Sequence, residues 1–88
     1  MTTTRQDVYS AIESERSYQD YRWPGHKHSF EEYAYYMEQY LAEFKAMISH
    51  ADSNDQVVID NSRDFFRKIT AMGVAAMEEN GKRDRAGW

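Results

Sequence analysis

Apolar side chains recur along most of this chain at the intervals of three and four positions that are typical of α-helices. The clearest example begins at Phe30, directly after Ser29, which with Glu32 forms the capping box of a helix start. The apolar stripe that follows consists of Phe30, Tyr33, Ala34, Met37, Leu41, Phe44 and Ile48. This pattern predicts a helix over about residues 29–50 whose stripe faces the protein core.

The segment before this stretch predicts another helix, over about residues 4–22. Thr3 or Thr4 can cap its start, because Gln6 or Asp7 stands three residues further on. The tripeptide Trp23-Pro24-Gly25 ends it, since the residue before a proline is pushed out of the α-helical region and glycine permits a turn.

A third helix is predicted over about residues 54–79, with Ser53 or Asn54 as its N-cap and Asn80-Gly81 as its end. Its inner stripe consists of Val58, Ser62, Phe65, Ile69, Met72 and Ala76. We therefore expect an all-α fold, a three-helix antiparallel bundle. Residues 1–81 would form a single helical domain, followed by a polar C-terminal tail over residues 82–88.

Composition narrows the classes of function. The 88 residues suffice for one domain, and 15 acidic against 11 basic residues give a net charge of -4, which argues against binding of long nucleic acid. Cysteine is absent, so neither a disulfide framework nor a cysteine-based zinc site is expected. Apolar runs fall far short of the roughly 20 residues of a membrane span. We expect a cytoplasmic protein without a membrane partner.

Aromatic residues make up 15% of the chain, more than a core of this size can hide. Small scaffolds without disulfides or metals often gain stability by association. We therefore expect a homo-oligomer, in which Tyr36, Tyr40 and Met47 of the second helix, which lie outside its stripe, face a partner subunit.

Basic side chains supply the main candidate for a site. Arg63 and Arg67 are one helical turn apart and can present two guanidinium groups to one phosphate or carboxylate. Alternatively, both arginines pair with Asp60 and Asp64 on the same helix, and the sequence leaves the two interpretations open. Lys68 lies beside the arginines, and Arg16 and Gln19 of the first helix are expected to face them.

The loop after the first helix is a second candidate element for ligand contact. Trp23 precedes a proline that stiffens the turn, and His26, Lys27 and His28 bring positive charge next to it. The alternative is that Trp23 folds back as a lid on the core. The two histidines lack an obvious third ligand, so no metal site is expected there.

Three segments of the chain resemble a group of small phage and prophage proteins. They are Glu15–Asp20 with Trp23, His28–Tyr33, and Arg67–Glu78. The first segment matches an E-R-x-x-Q-x-x-x-W opening, and the last matches an R-K-x-x-A-M-x-V-x-x-M-E closing helix. That group is in turn similar to the MazG-like all-α nucleoside triphosphate pyrophosphohydrolases. The resemblance implies a helical fold and a nucleotide ligand.

The acidic motifs that hold Mg²⁺ in MazG-like enzymes are degraded in this chain. Where the family has E-E-x-x-E, this sequence has Glu31-Glu32 followed by Tyr35, and where it has E-x-x-D, this sequence has Asp64 followed by Arg67. We therefore expect no catalytic residues and no cofactor. Only an enzyme would need Mg²⁺, held by Glu38, Glu43, Asp60 and Asp64.

Three functions follow as hypotheses. The first is a non-enzymatic, phage-type protein that binds a nucleotide or nucleotide-derived signalling molecule and sequesters it to counter host defence. The second is a minimal MazG-like pyrophosphohydrolase that assembles its metal site across subunits. The third is a structural helical oligomer without a small ligand.

Overall fold

The computed structural model describes residues 2–25 and 27–86, and it contains helices but no strands over that range. The helices are α1 (Arg5–Arg22), α2 (Phe30–Ser49) and α3 (Gln56–Asn80). The predicted all-α fold with three helices is thus confirmed. Of the helices in this described part of the chain, none is long and apolar enough to cross a membrane.

The first two helices begin as the capping patterns predict. The Thr4 hydroxyl accepts a hydrogen bond from the backbone N–H of Asp7, whose carboxylate accepts one from the Thr4 N–H. Ser29 and Glu32 form the same reciprocal pair at the start of α2. Each box satisfies two backbone donors that the helix itself leaves unpaired.

The third helix begins later than predicted. Its N-cap is Asp55, whose carboxylate accepts a hydrogen bond from the N–H of Val57, and neither Ser53 nor Asn54 has this role. The reason is local, because Asp52 accepts the Asn54 N–H on its side chain and the Asp55 N–H on its carbonyl. A turn of this kind competes with helix formation, so the helix begins only after the turn has ended.

α3 is the central element of the fold. α2 runs antiparallel to it, since Phe44 contacts Phe65 and His28, just before α2, contacts Glu79. α1 runs in the same direction as α3, and both α1 and α2 pack against it. Among the described residues, no Cα atom of α1 lies within 8 Å of one in α2, so the bundle is open on one side.

This open arrangement leaves a small core. Its buried apolar residues are Tyr33, Phe65, Ala71, Ala75 and Ala76. The prediction that the whole α2 stripe faces the core is wrong, because Phe30, Leu41 and Ile48 are exposed. Only the flank of the stripe with Tyr33 meets α3, and no helix covers the other flank. The radius of gyration is 14.8 Å, against about 12 Å for a compact chain of this length.

Candidate anion-binding cleft

A cleft of about 840 Å³ lies between the N-terminal half of α1 and the C-terminal half of α2, with α3 as its floor. Val8 and Ile12 form the α1 side, Ile48 belongs to the α2 side, and Phe66 lies on the floor. Its volume falls within the range of about 300–1,000 Å³ that small-molecule sites occupy. The cleft is mainly apolar, so its few polar groups decide what it can bind.

Arg63 is the most accessible cation of the cleft. Its guanidinium lies 3.4 Å from the Asp60 carboxylate, and both side chains are largely exposed. An exposed pair at this distance contributes little to stability, because water competes for both partners. A bound anion can therefore take the place of Asp60 at small cost.

Arg67 also lines the cleft but is more firmly held. Its Nε donates to Glu15 of α1 at 2.8 Å and its Nη1 donates to Asp64 at 2.6 Å. These hydrogen bonds, the one to Glu15 first, raise the pKa of Arg67 above its ordinary value. Glu15 is only 8% exposed, so the pair ties α1 to α3. Among the described residues, the Nη2 group of Arg67 has no hydrogen-bond acceptor.

Arg16 and Gln19 lie next to each other but do not line the cleft. The Arg16 guanidinium donates twice to Glu78, at 3.3 and 2.9 Å, and once to Asp20 at 2.9 Å. The hydrogen bond to Glu78 is the main cause that raises the pKa of Arg16. The structure thus uses Arg16 to fasten α1 to the C-terminal part of α3.

Lys68 faces a different part of the molecule. It is half-buried in a smaller cavity of about 230 Å³, together with Tyr40, Glu43, Asp64 and Phe65. This cavity lies between α2 and α3, and α1 contributes nothing to it. Lys68 is therefore separated from Arg63 and Arg67, although it follows Arg67 directly in sequence.

The loop candidates lie at the other end of α3. The backbone N–H of His28 donates to Glu79 at 3.0 Å, and Asn80 donates to the His28 carbonyl at 2.8 Å. Residues 67 and 79 of one helix are about 18 Å apart along its axis. Arg67 lines the cleft while Glu79 holds this loop, so the structure does not bring the loop and the cleft arginines together.

Trp23 and Lys27 are exposed in this loop, and the Trp23 indole is 54% accessible rather than a buried lid. The His28 ring lies 3.4 Å from the Glu32 carboxylate and meets Tyr33 and Tyr36 edge to face. His26 was also predicted to contact a ligand, and it lies outside the described residues. The hydrogen bonds of the His28 backbone and the contacts of its ring therefore fix the position of this loop.

Glu79 is the carboxylate that fixes the loop. Burial works against its charge, but the Tyr33 hydroxyl and the His28 N–H donate to it and lower its pKa below the ordinary value. Burial and the same carboxylate raise the pKa of Tyr33. The hydroxyl therefore stays protonated and acts as a donor.

Carboxylates are dispersed over the surface. Within residues 2–25 and 27–86, no three His, Asp or Glu side chains are close enough to hold a metal ion. Glu43 and Asp64 share the smaller cavity, whereas Asp60 bonds to Gln56 and Arg63. Within the described residues of one copy, these carboxylates therefore do not converge on one point.

Sequence reasoning missed most of the apolar cleft. Ile48 was expected in the core, and Val8, Ile12 and Phe66 were not predicted to line a site. The signal was nevertheless present, because Ile59 and Phe66 stand seven residues apart, off the predicted stripe.

Comparison with known proteins adds no relative. No family model, no curated protein and no solved structure matches this chain. The resemblance to MazG-like enzymes stays a prediction from the motifs quoted above. We therefore infer the function from the residues of the cleft.

Proposed function

We propose that this protein binds a small anionic ligand of nucleotide type in the cleft between α1 and α2 and does not cleave it. One observation carries the proposal: Arg63 and Arg67 border a cleft whose remaining surface is mainly apolar and aromatic, with Asp7 and the hydroxyl groups of Thr3, Ser53, Ser62 and Thr70 also in its lining. A nucleotide combines the same two properties, a charged phosphate and a flat base.

The phosphate would contact the arginine side of the cleft. Arg63 gains more from a phosphate than from its exposed partner Asp60, because a doubly charged oxyanion can accept two parallel hydrogen bonds. The Nη2 group of Arg67 can donate to the same ligand while its other nitrogens hold Glu15 and Asp64. Ligand binding then leaves the α1–α3 contact intact.

The base would lie against the apolar walls. Phe66 is 58% exposed and offers an uncovered ring surface, and stacking of a base on an aromatic side chain contributes about 1–3 kcal/mol. Ile12 and Ile48 supply apolar contact on the two sides. This part of the cleft explains why exposed aromatic residues would persist on an acidic protein.

Retention without cleavage gives the biological consequence. A protein that binds a nucleotide-derived signal lowers its free concentration, and in a phage-type protein this would counter host defence. This last step rests on the resemblance of the motifs, whereas binding itself rests on the cleft.

The test is calorimetric titration with ATP and AMP in the absence of Mg²⁺, using wild type and Arg63→Ala. We expect the variant to bind about ten- to hundredfold more weakly, the effect of losing a charge-assisted hydrogen bond of about 1.5–3 kcal/mol. Arg63 is preferred over Arg67, because removing Arg67 would strand the buried Glu15. Arg83→Ala, at an exposed arginine beyond α3, is the matched control and should bind like wild type.

Chromatography of the nucleotide after incubation with Mg²⁺ separates binder from enzyme. Intact ligand supports the proposal, and release of pyrophosphate contradicts it. Equal affinities of wild type and Arg63→Ala, or no binding of either nucleotide at millimolar concentration, would also overturn it.

A further inference from the structure

α3 carries a second regular row of residues, distinct from the stripe that packs on α2. It consists of Ile59, Arg63, Phe66, Thr70, Gly73 and Met77. The intervals alternate between four and three positions, which is the spacing of a seam against which another helix packs. We call these residues the open row, because α1 and α2 leave Arg63, Phe66, Thr70 and Met77 exposed and cover Ile59 and Gly73 only in part.

Large apolar members of the open row are accessible. Phe66 is 58% exposed and Met77 is 47% exposed. Val8 of α1 and Ile48 of α2 line the same cleft as Phe66 and are exposed as well. Together they form an apolar face that is rimmed by charged side chains, a surface typical of protein contacts.

The accessible area of the chain points to a partner of appreciable size. The chain exposes 7353 Å², whereas a folded monomer of its 10.4 kDa exposes about 5,400 Å². Part of the surplus is the tail over residues 81–86, and part is the row of exposed apolar side chains. The surplus exceeds twice the roughly 800 Å² that each partner buries in a standard interface.

Gly73 gives an independent indication. It lies in the interior of α3, where glycine is unfavourable relative to alanine. A Cβ atom added there would meet only the terminal methyl of Met37, at an ordinary contact distance of 3.9 Å. Nothing within one copy therefore requires a glycine at this position, whereas a further helix packed closely on α3 would need the space that the glycine leaves.

We propose that the open row is the contact between two copies of this chain, related by a twofold axis near Phe66 and Thr70. An isologous contact of this kind is the commonest arrangement among homo-oligomers. With the two α3 helices antiparallel, Arg63 of each copy passes over Gly73 of the other, and Ile59 meets Met77. The long arginine side chain thus needs the space that a glycine leaves.

The surface predicted from sequence is less apolar and less open than this one. Tyr36 and Tyr40 are exposed at 41% and 37%, but Tyr40 already lies against Phe65, with a ring separation of 6.2 Å, and Met47 is half-buried beside α3. The proposal does not depend on a ligand, and since Arg63 and Phe66 belong to both surfaces, the dimer contact and a bound nucleotide compete for them.

Sedimentation equilibrium of the full chain between 1 and 100 μM, without nucleotide, tests the proposal. We expect wild type to reach twice the monomer mass of 10.4 kDa, and Met77→Lys to raise the dimer dissociation constant at least tenfold. Met77 does not line the cleft, so this variant tests association separately from nucleotide binding. Tyr21→Lys introduces the same charge at a highly exposed position of α1 and should behave like wild type.

Gly73→Ala is a second test, because alanine stabilises the α3 helix of a single copy but fills the space that the dimer contact needs. We expect at least fivefold weaker association with undiminished helicity by circular dichroism. A wild-type mass of one chain at 100 μM overturns the proposal and assigns the face to another molecule. A dimer that resists Met77→Lys but dissociates with Tyr36→Lys overturns it as well and moves the contact to α2.

Discussion

The two helices that pack on α3 are held by different forces. α2 adheres through stacked aromatic rings, whereas α1 adheres largely through charged hydrogen bonds. Both contacts use the same central helix, and among the described residues α1 and α2 do not pack against each other. The strength of each contact can therefore be compared directly.

The α2–α3 contact centres on Phe65. The ring of Phe44 stacks on it with centroids 4.3 Å apart, and Phe65 itself is 6% exposed. Such contacts depend on area removed from water and tolerate small rotations. The aromatic contact therefore stabilises the fold through buried area rather than through one fixed geometry.

The α1–α3 contact depends on Glu15 with Arg67 and on Arg16 with Glu78, at 2.8 and 2.9 Å. Charged hydrogen bonds have strict geometry, and salt screens them where they reach solvent. They add specificity more than net stability, since each charge must first lose water. α1 is thus held in one register but less strongly than α2.

The largest expected effect is that of Phe65→Ala. Removing a buried phenylalanine ring costs about 3–5 kcal/mol, because apolar contact is lost and a cavity is left. Urea unfolding measures the change. Phe30→Ala is the matched control, since Phe30 is 56% exposed and should cost less than about 1 kcal/mol. Similar losses of unfolding free energy for both variants would show that the aromatic contact contributes no more than an exposed ring.

The helix starts show how much of this fold could be predicted from sequence. Thr4 and Ser29 were identifiable because a capping box involves residues only three positions apart. The start at Asp55 was missed because the preceding turn around Asp52 competes with the helix. Both outcomes depend on local interactions, which sequence patterns describe well when a single motif dominates.

The candidate site was less predictable because it depends on contacts between distant segments. Pairing of Arg63 with Asp60 and of Arg67 with Asp64 could be foreseen from helical spacing. The partner Glu15 stands 52 positions from Arg67, and only the packing of α1 on α3 reveals it. Similarly, the α2 stripe predicts an apolar ridge but does not show which flank another helix covers.

An intermediate effect is expected for Glu15→Gln, which keeps the shape but removes the buried charge. The loss of charge-assisted hydrogen bonding to Arg67 should cost about 1.5–3 kcal/mol of unfolding free energy. Asp60→Asn is the control, because its exposed pair with Arg63 should contribute less than about 1 kcal/mol. In 1 M NaCl the difference between wild type and Glu15→Gln should persist, because Glu15 is only 8% exposed and salt screens a buried pair weakly. Equal stability of wild type and Glu15→Gln would mean that packing, not charge, holds α1.

The smallest effect concerns the loop at the end of α3 and depends on pH. The pKa of Glu79 is lowered from its ordinary value of 4.5 in the folded protein. A lowered carboxyl pKa stabilises the fold fully above the unfolded value, and this contribution is lost as pH falls through the folded pKa. Wild type should therefore be more stable than Glu79→Gln by about 1 kcal/mol at pH 7, the contribution of a typical hydrogen bond, and this difference should close as the pH falls through the lowered pKa of Glu79.

Thermal unfolding of both proteins from pH 7 to 3 measures this gap. Asp7 and Glu32, whose pKa values the capping boxes also lower, titrate in the same range but are present in both proteins, so their contribution cancels. Glu38→Gln, on the exposed surface of α2, serves as the control and should follow wild type at every pH. A difference in stability between wild type and Glu79→Gln that stays constant down to pH 3 would show that Glu79 stabilises the fold by packing and not by its charge. The loop would then be held by Asn80 and the ring contacts of His28, and its anchoring would resemble the aromatic α2 contact more than the charged α1 contact.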